Sequence, residues 1–536
     1  MTNSACGHPQ VPFKRRLVKN ILSNWAGYAV GIIVTFLLTP YVIKSMGPVR
    51  YGIWILANAL TGYYGLLDLG FRSGVNQYLT RNLAKDDLDN LNGCASTGFL
   101  ALAACGAIVL AVSIAVTWLV PVLFTVPTEL IREMRIVIMV MGAISAVQFV
   151  FFTYSAVFTA LQRFDISNGI GISTRLLTAV MIVAALNFDF GLVGISIASA
   201  CGSLIDYLVR WRVALTLLPS LRISPSLVNR RNFTEITSFS FWNFMIAAGA
   251  RMISYTDALV IAAFMPVAAV VPFALAAGLR SQFEAVFELV GYVFFPVATE
   301  MDSTGRLDDL RRLYLTGSRG MILLSIAIGS VSFLLSGDFF RLWVGPEIAE
   351  PAGYPGPAFL FNILLFGSIA DSTQRIGYQV LLGMRRMRLL VVLFVSEGVL
   401  NLLMSLGLIR TWGLLGVAVG TLLPALIFQG FAYPCLICRV LEIRGSSYVQ
   451  QVLLRPGLVA LVLSAGLIIF GHVKSVTGWP SMALWTAAVS CFALFCAVML
   501  GLDAAERRVI LFSPAAAVTR LRAVIVPLRD EQKSPD

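Results

Sequence analysis

Charge is what this chain has least of. Only 13% of its 536 residues are Asp, Glu, Lys or Arg, about half the usual fraction, whereas 58% are hydrophobic and the mean hydropathy is +0.83. That balance excludes an array of soluble domains. Histidine is nearly missing as well, since His8 and His472 are the only two. Cys/His zinc spacing, haem ligation and a Ser-His-Asp triad therefore lack material. The cysteines, Cys6, Cys94, Cys105, Cys201, Cys435, Cys438, Cys491 and Cys496, are scattered through or beside apolar runs and imply no disulfide framework. Cys435 and Cys438 form one C-x-x-C inside an apolar stretch, which reads as small apolar packing. No Gly-rich loop with Lys is present to cradle a nucleotide, so ATP is not expected as the direct drive. The sequence nominates no catalytic residue, no metal and no cofactor.

Long apolar runs are what remains. Windows of about 20 nearly uncharged residues, enough to cross a bilayer core as helix, recur along the chain. The expected fold class is an all-α polytopic membrane protein with fourteen spans, near residues 18–44, 50–80, 93–122, 133–160, 166–187, 190–216, 235–264, 266–299, 314–336, 357–384, 389–411, 413–437, 453–472 and 480–502. Residues 1–17 form a basic leader with Pro9 and Pro12, and the apolar run behind it is too long for a cleaved signal peptide, so a retained anchor is expected.

Lys and Arg set the orientation, because they resist translocation. With the N-terminus inside, most of the 40 fall in the leader, alternate inner loops and the tail, so both termini are expected in the cytoplasm. The clearest inner loops carry Arg210, Arg212, Arg222, Arg230 and Arg231, and then Arg385, Arg386 and Arg388. The formal net charge of +12 thus belongs to topology and anionic headgroups rather than to nucleic acid. No outer loop is long, which argues against an enzyme that joins saccharides outside.

The chain also repeats itself. Gly191-Leu192-Val193-Gly194-Ile195-Ser196-Ile197 reads like Gly413-Leu414-Leu415-Gly416-Val417-Ala418-Val419, 222 residues later. Leu88-Asp89-Asn90-Leu91 reads like Leu307-Asp308-Asp309-Leu310, and Ala160-Leu161-Gln162-Arg163 faces Gly383-Met384-Arg385-Arg386, at nearly the same offset. A six-span repeat is even, so its copies should be related by an axis along the membrane normal, with the substrate path between them. The expected divisions are a leader at 1–17, a first lobe at 18–218, a hinge linker at 219–234, a second lobe at 235–444, two further spans at 445–503 and a tail at 504–536.

Residues 24–84 carry Thr39-Pro40-Tyr41-Val42-Ile43, Met46-Gly47, Tyr51-Gly52 and Gly65-Leu66-Leu67-Asp68-Leu69-Gly70-Phe71. Further on, Phe295-Pro296-Val297-Ala298 is followed by an acidic loop and Leu307 to Leu310. In these stretches the chain resembles the bacterial polysaccharide-export and oligosaccharide flippase family, of the O-antigen flippase type. That family lies in the superfamily that includes multidrug exporters and the lipid-linked peptidoglycan precursor flippase. The resemblance implies two helical lobes around a V-shaped cavity that opens alternately to either face of the bacterial inner membrane. It implies a polyprenyl-pyrophosphate-linked saccharide as cargo, carried from the cytoplasmic to the outer leaflet among membrane lipids, with polysaccharide polymerase machinery as a candidate partner.

Ionisable groups inside spans are the most informative residues, since each costs at least about 2.5 kcal/mol at the bilayer centre unless it faces a cavity or a partner. Arg72, Arg175, Arg251, Arg280 and Arg375 fall between mid-membrane and the cytoplasmic side. Guanidinium forks grip phosphate bidentately and stay charged. Arg72, Arg251, Arg280 and Arg375 are therefore the candidate pyrophosphate site. Local neutralisation is the competing reading: Asp68 and Arg72, and Asp371 and Arg375, stand four apart, and Glu284 and Glu288 follow Arg280 at the next two turns. Arg251 has no acidic residue four positions away, and Asp257, six on, points elsewhere. Arg175 and Glu397 occupy equivalent repeat positions with opposite charge and are a candidate gate pair.

Asn24, Tyr28, Asn58, Tyr63, Tyr64, Asn243 and Gln282 offer the amide, hydroxyl and aromatic groups that sugars need, and equally suit helix-to-helix hydrogen bonds. Pro40, Pro266, Pro272 and Pro296 could allow helix bending. By resemblance to the peptidoglycan precursor flippase, residues 453–502 form either a groove for the polyprenyl chain or a plain lipid-facing or dimer surface. The rival functions are a multidrug-type cation-coupled antiporter, disfavoured by the absence of an acidic residue in the first span, a membrane saccharide polymerase or ligase, and a non-transporting scaffold.

Overall fold

Backbone polar groups in lipid must be satisfied within the segment, which leaves the helix as the structure for runs of this kind. The computed structural model covers this in residues 13–502 and 507, the residues it describes, and among them 89% are helical and none is in a strand. The leader ahead of residue 13 and the tail, apart from Arg507, lie outside the described residues.

The chain divides into two compact units, residues up to Arg251 with Ala262–Val271, and Met252–Ile261 with everything from Pro272. The first holds α1 (Phe13–Tyr64), α2 (Phe71–Ala84), α3 (Leu88–Leu123), α4 (Ile131–Ala160), α5 (Phe164–Asn187), α6 (Gly191–Leu217) and the first part of α7 (Arg230–Phe264). In the second lie most of α8 (Val270–Tyr292), α9 (Phe294–Ser303), α10 (Leu307–Val344), the short α11 (Pro346–Ala349), α12 (Pro357–Gly383), α13 (Met387–Trp412), α14 (Leu414–Ile427), α15 (Tyr433–Val440), the short α16 (Gly445–Tyr448), α17 (Arg455–Val473) and α18 (Trp479–Cys496).

The protein is a multi-pass membrane protein: among the described residues, eleven helical stretches are long and apolar enough to span. The difference from the expected fourteen has physical causes. α1 runs for 52 residues, about 78 Å at the helical rise and more than twice a hydrocarbon core. It is broken at Gly47, whose φ of 76° lies in the left-handed region, and Pro48 follows. Phe13–Tyr64 is therefore two helices meeting at Gly47, and two expected spans are counted as one stretch. The spans expected at 266–299 and 357–384 drop out of the apolar set, and these are the segments loaded with Arg280, Glu284 and Glu288, and with Asp371 and Arg375.

The sequence repeat recurs in the backbone. Asp86 (φ 55°) and Gly305 (φ 68°) each stand two residues before a helix, α3 and α10. Gln162 (φ 54°) and Arg385 (φ 56°) do the same before α5 and α13, and Gly191 (φ 56°) corresponds to Gly413 (φ 55°). Left-handed turn residues thus fall at the positions that the sequence repeat pairs.

The stretch expected to be a hinge makes a series of hydrogen bonds to α3. Asn92 of α3 accepts from the Arg222 amide at 2.8 Å and donates to the Ser220 carbonyl at 3.1 Å. One turn on, Ser96 accepts from the Ser224 amide at 3.1 Å and Thr97 from the Asn229 amide at 3.2 Å. Gly93 permits the approach, because a Cβ there would come within 2.7 Å of the Asn232 amide nitrogen.

Small residues also set helix contacts. A Cβ on Gly106 of α3 would lie 2.8 Å from the Ala146 carbonyl of α4. Replacing Gly106 with Val should lower stability by about 1–3 kcal/mol through overpacking. The check is the thermal midpoint of the purified protein in detergent, which should fall while a Leu100→Val change at an exposed site leaves it in place.

Candidate functional site

In the first unit the charged cluster forms where helix gives way to irregular backbone. α1 ends at Tyr64, a 3₁₀ turn covers Gly65–Asp68, and Leu69 (φ 48°) and Gly70 (φ 80°) are left-handed before α2 begins. The Gly70 amide donates to Asp68 Oδ1 at 2.8 Å, and Asp68 Oδ2 stands 3.4 Å from Arg72 Nε. The Arg72 guanidinium lies over two rings of α4, 4.4 Å from the Phe149 centroid and 5.1 Å from that of Phe152. Its buried Nη2 has no hydrogen-bond partner among the described residues. Arg251 donates through Nη1 to the Gly62 carbonyl, one of the last-turn acceptors that α1 cannot satisfy itself. It packs on Gly65, where a Cβ would meet Nη2 at 2.6 Å. Both guanidinium charges act on Asp68. This cluster carries two positive charges and one negative.

A further pair in this unit was readable in the sequence and misplaced. α6 continues to Leu217, so Arg210 is a helix residue rather than a loop residue. It donates to Asp206 at 2.6 Å and to the Ser167 hydroxyl at 2.7 Å, while Thr174 donates to Asp206 at 3.0 Å. The four-residue spacing was the available signal.

The second unit holds a larger network. Arg280 donates to Glu284 at 2.7 Å, and Ser368 of α12 donates to the same oxygen at 2.7 Å. Arg375 donates to Asp371 at 2.5 Å. Asp257, only 5% exposed, accepts from Thr421 at 2.8 Å and from Ser405 at 3.3 Å. Glu397, 4% exposed, accepts from Gln429 at 2.8 Å, and Gln429 sits in a π-helical stretch, Phe428–Ala432, of the kind that often marks functional positions. Arg280 feels the charges of Glu284, Asp257 and Asp371, Glu397 feels those of Asp371, Arg280 and Glu284, and exposed Glu288 acts on Arg375. Apart from Glu288, the set has four carboxyl groups for two guanidiniums.

The remaining candidates serve other contacts. Arg175 reaches the Gly27 carbonyl at 3.5 Å and lies against Gly31. Asn24 accepts from Asn168 at 2.6 Å, and Asn58 donates to the Trp54 carbonyl at 2.7 Å in its own helix. Tyr64 is buried, Tyr28, Tyr63 and Asn243 are half-buried, and Gln282 is exposed.

No known protein-family profile matches the chain. Two bacterial relatives do. The chain is 20% identical over 508 residues to the "Uncharacterized membrane protein EpsK" of Bacillus subtilis, covering 92% of this chain and 97% of that one. It is 20% identical over 425 residues to the "Putative O-antigen transporter" of Shigella flexneri, covering 77% and 97%. Among solved structures, the lipid II flippase MurJ in an inward closed conformation superposes with a TM-score of 0.66 at 11% identity, covering 89% of this chain and 98% of that one. An inward-facing multidrug resistance MATE transporter of the MOP superfamily gives 0.61 at 13% identity, covering 76% and 95%. The chain has the fold of these transporters, and the resemblance read from its sequence holds.

Removing one member of a buried ion pair costs about 3–5 kcal/mol, because the other charge is left uncompensated. Arg280→Ala should therefore reduce the amount of folded protein in the membrane, and the double variant Arg280→Ala with Glu284→Ala should restore much of it. Quantitative immunodetection with size-exclusion profiles measures both.

Proposed function

We propose that the protein is a flippase that moves a polyprenyl-pyrophosphate-linked saccharide from the cytoplasmic to the outer leaflet for surface polysaccharide biosynthesis, by alternating access of two lobes. The observation that carries this reading is the buried Arg72 guanidinium, whose Nη2 has no hydrogen-bond partner among the described residues, with Arg251 sharing the field of Asp68. A pyrophosphate brings negative charge into a region where each unmatched cation is costly, so substrate and site neutralise one another. Arg72 supplies a spare buried donor, and Arg251 is held at a helix end with further N–H groups in its fork. Arg280 and Arg375, whose charges are matched by Glu284 and Asp371, are assigned to a separate role. In this reading the two segments of α1, the second continued by α2, join α8 with α9 and α12 to complete fourteen spans.

Within this network Asp257 and Glu397 are the carboxyl groups that hydroxyl and amide donors hold rather than a guanidinium. Two buried carboxyl groups without a matching guanidinium are disfavoured in hydrocarbon unless a proton or another cation neutralises them. We assign Asp257 and Glu397 to that cation. The same two carboxyl groups favour one other reading, a multidrug-type cation-coupled antiporter, in keeping with the multidrug transporters that share the fold.

Cells lacking the protein should accumulate the lipid-linked saccharide on the cytoplasmic leaflet, read with an impermeant sugar-modifying reagent, and lose surface polymer. An unchanged lipid-linked pool with altered sensitivity to cationic drugs would select the antiporter. Arg72→Ala and Arg251→Ala should each abolish polymer export at normal protein level, with Lys restoring part of it; full export by both alanine variants would overturn the phosphate assignment. For the coupling site, Glu397→Gln and Asp257→Asn should make transport in proteoliposomes insensitive to collapse of the cation gradient, whereas wild type loses most of its rate.

A further inference from the structure

At the end of the first unit reached by the C-terminus of α3, the surface holds a small amphipathic pocket. A cavity of about 250 Å³ is lined by Ile114, Thr117 and Trp118 of α3 and by Arg135 and Met139 of α4. The Arg135 guanidinium stands 5.6 Å from the Trp118 ring centroid, and its buried Nε has no hydrogen-bond partner among the described residues. Glu133, two residues away in sequence, is already engaged and takes both prongs of Arg50, at 3.1 and 3.2 Å. Trp118 is 71% exposed, and Val122, one turn on, is 82% exposed.

Depth and polarity run together along this pocket. α3 ends at Leu123 and α4 starts at Ile131, so Trp118 and Arg135 sit about 6–8 Å inside the helix ends, the level of the headgroup boundary. Ile114 and Met139 each lie one turn deeper and give the pocket an apolar floor. A cation and an indole N–H above a greasy base match a phosphate above acyl chains.

We propose that this pocket is a binding site for an anionic phospholipid, with the phosphate on Arg135 and Trp118 and the upper acyl chain against Ile114 and Met139. The transported diphosphate is a poorer occupant, because Phe149 and Phe152, which carry Arg72, lie 14 and 17 residues further along α4 than Arg135, about 21 Å or more away. In the orientation proposed above, the site belongs to the outer leaflet.

Native mass spectrometry of the purified full chain, supplied with equal phosphatidylglycerol and phosphatidylcholine, tests the site. Wild type should retain phosphatidylglycerol preferentially. Arg135→Ala should lower that preference about fivefold, the worth of one surface cation. Arg135→Lys should keep most of it, and Arg132→Ala, at an exposed neighbour, should leave it unchanged. In vesicles containing brominated phosphatidylglycerol, Trp118→Phe should remove a quenched component of the fluorescence. If Arg135→Ala elutes as aggregate, the Lys and Phe variants decide. Equal retention by wild type and Arg135→Ala, no fluorescence loss in Trp118→Phe, or displacement of phosphatidylglycerol by an equimolar polyprenyl diphosphate would each overturn the proposal.

Discussion

A charge held in hydrocarbon must be neutralised, and most of what is specific about this molecule follows from how its helices meet that constraint. The cheapest neutraliser is a counter-charge one turn away on the same helix, where no second element has to be positioned. Asp68 with Arg72, Asp206 with Arg210, Arg280 with Glu284, and Asp371 with Arg375 all use it. What matters for function is the remainder. Outside these pairs the first unit has Arg251, which shares the field of Asp68 with Arg72, and the second has the carboxyl groups of Asp257 and Glu397.

The paired part was legible because it depends on spacing alone. A four-residue interval places two side chains on one helix face whatever the fold does, so the Arg72, Arg280 and Arg375 pairs could be read directly. Asp206 and Arg210 follow the same rule but were obscured because Arg210, inside the span expected at 190–216, was grouped with the loop arginines that follow it. The repeat was equally legible, since turn residues such as Gly413 reflect local backbone conformation. Asp257 and Glu397 are different. Their partners, Thr421, Ser405 and Gln429, come from other helices or from a π-helical segment, and no interval in the sequence brings them together. Span counting failed for a related reason: the charges that make α8 and α12 interesting also remove them from the apolar set.

Polar residues proposed for sugar contact show the limit of composition as a guide. Asn24 ties α1 to α5 through Asn168, and Asn58 bonds back to Trp54 in its own helix. Both uses are helix-to-helix or within-helix hydrogen bonds, the more general demand on polar groups in spans. The same economy explains the linker. Its backbone amides would be costly near the apolar core, and Asn92, Ser96 and Thr97 supply acceptors along one face of α3. A segment rich in Pro and Arg is therefore tied to α3 along one helix face.

Irregular backbone marks both remainders, and there is a reason for it. A regular helix uses its own carbonyls and offers no acceptor or donor to a buried charge. α1 stops at Tyr64, which leaves the Gly62 carbonyl at the negative end of the helix dipole for Arg251, and Gly65 removes the Cβ that would block the guanidinium. A carbonyl is a weak partner for a full positive charge, whereas a phosphate oxygen is a strong one. The Gly62 carbonyl thus holds Arg251 by a contact weaker than the one a phosphate oxygen makes. Arg72 is held by π-faces and a lengthened contact to Asp68, with a donor to spare. Such holding positions the Arg72 guanidinium while leaving one of its buried donors unmatched, which distinguishes it from the tightly paired Arg280.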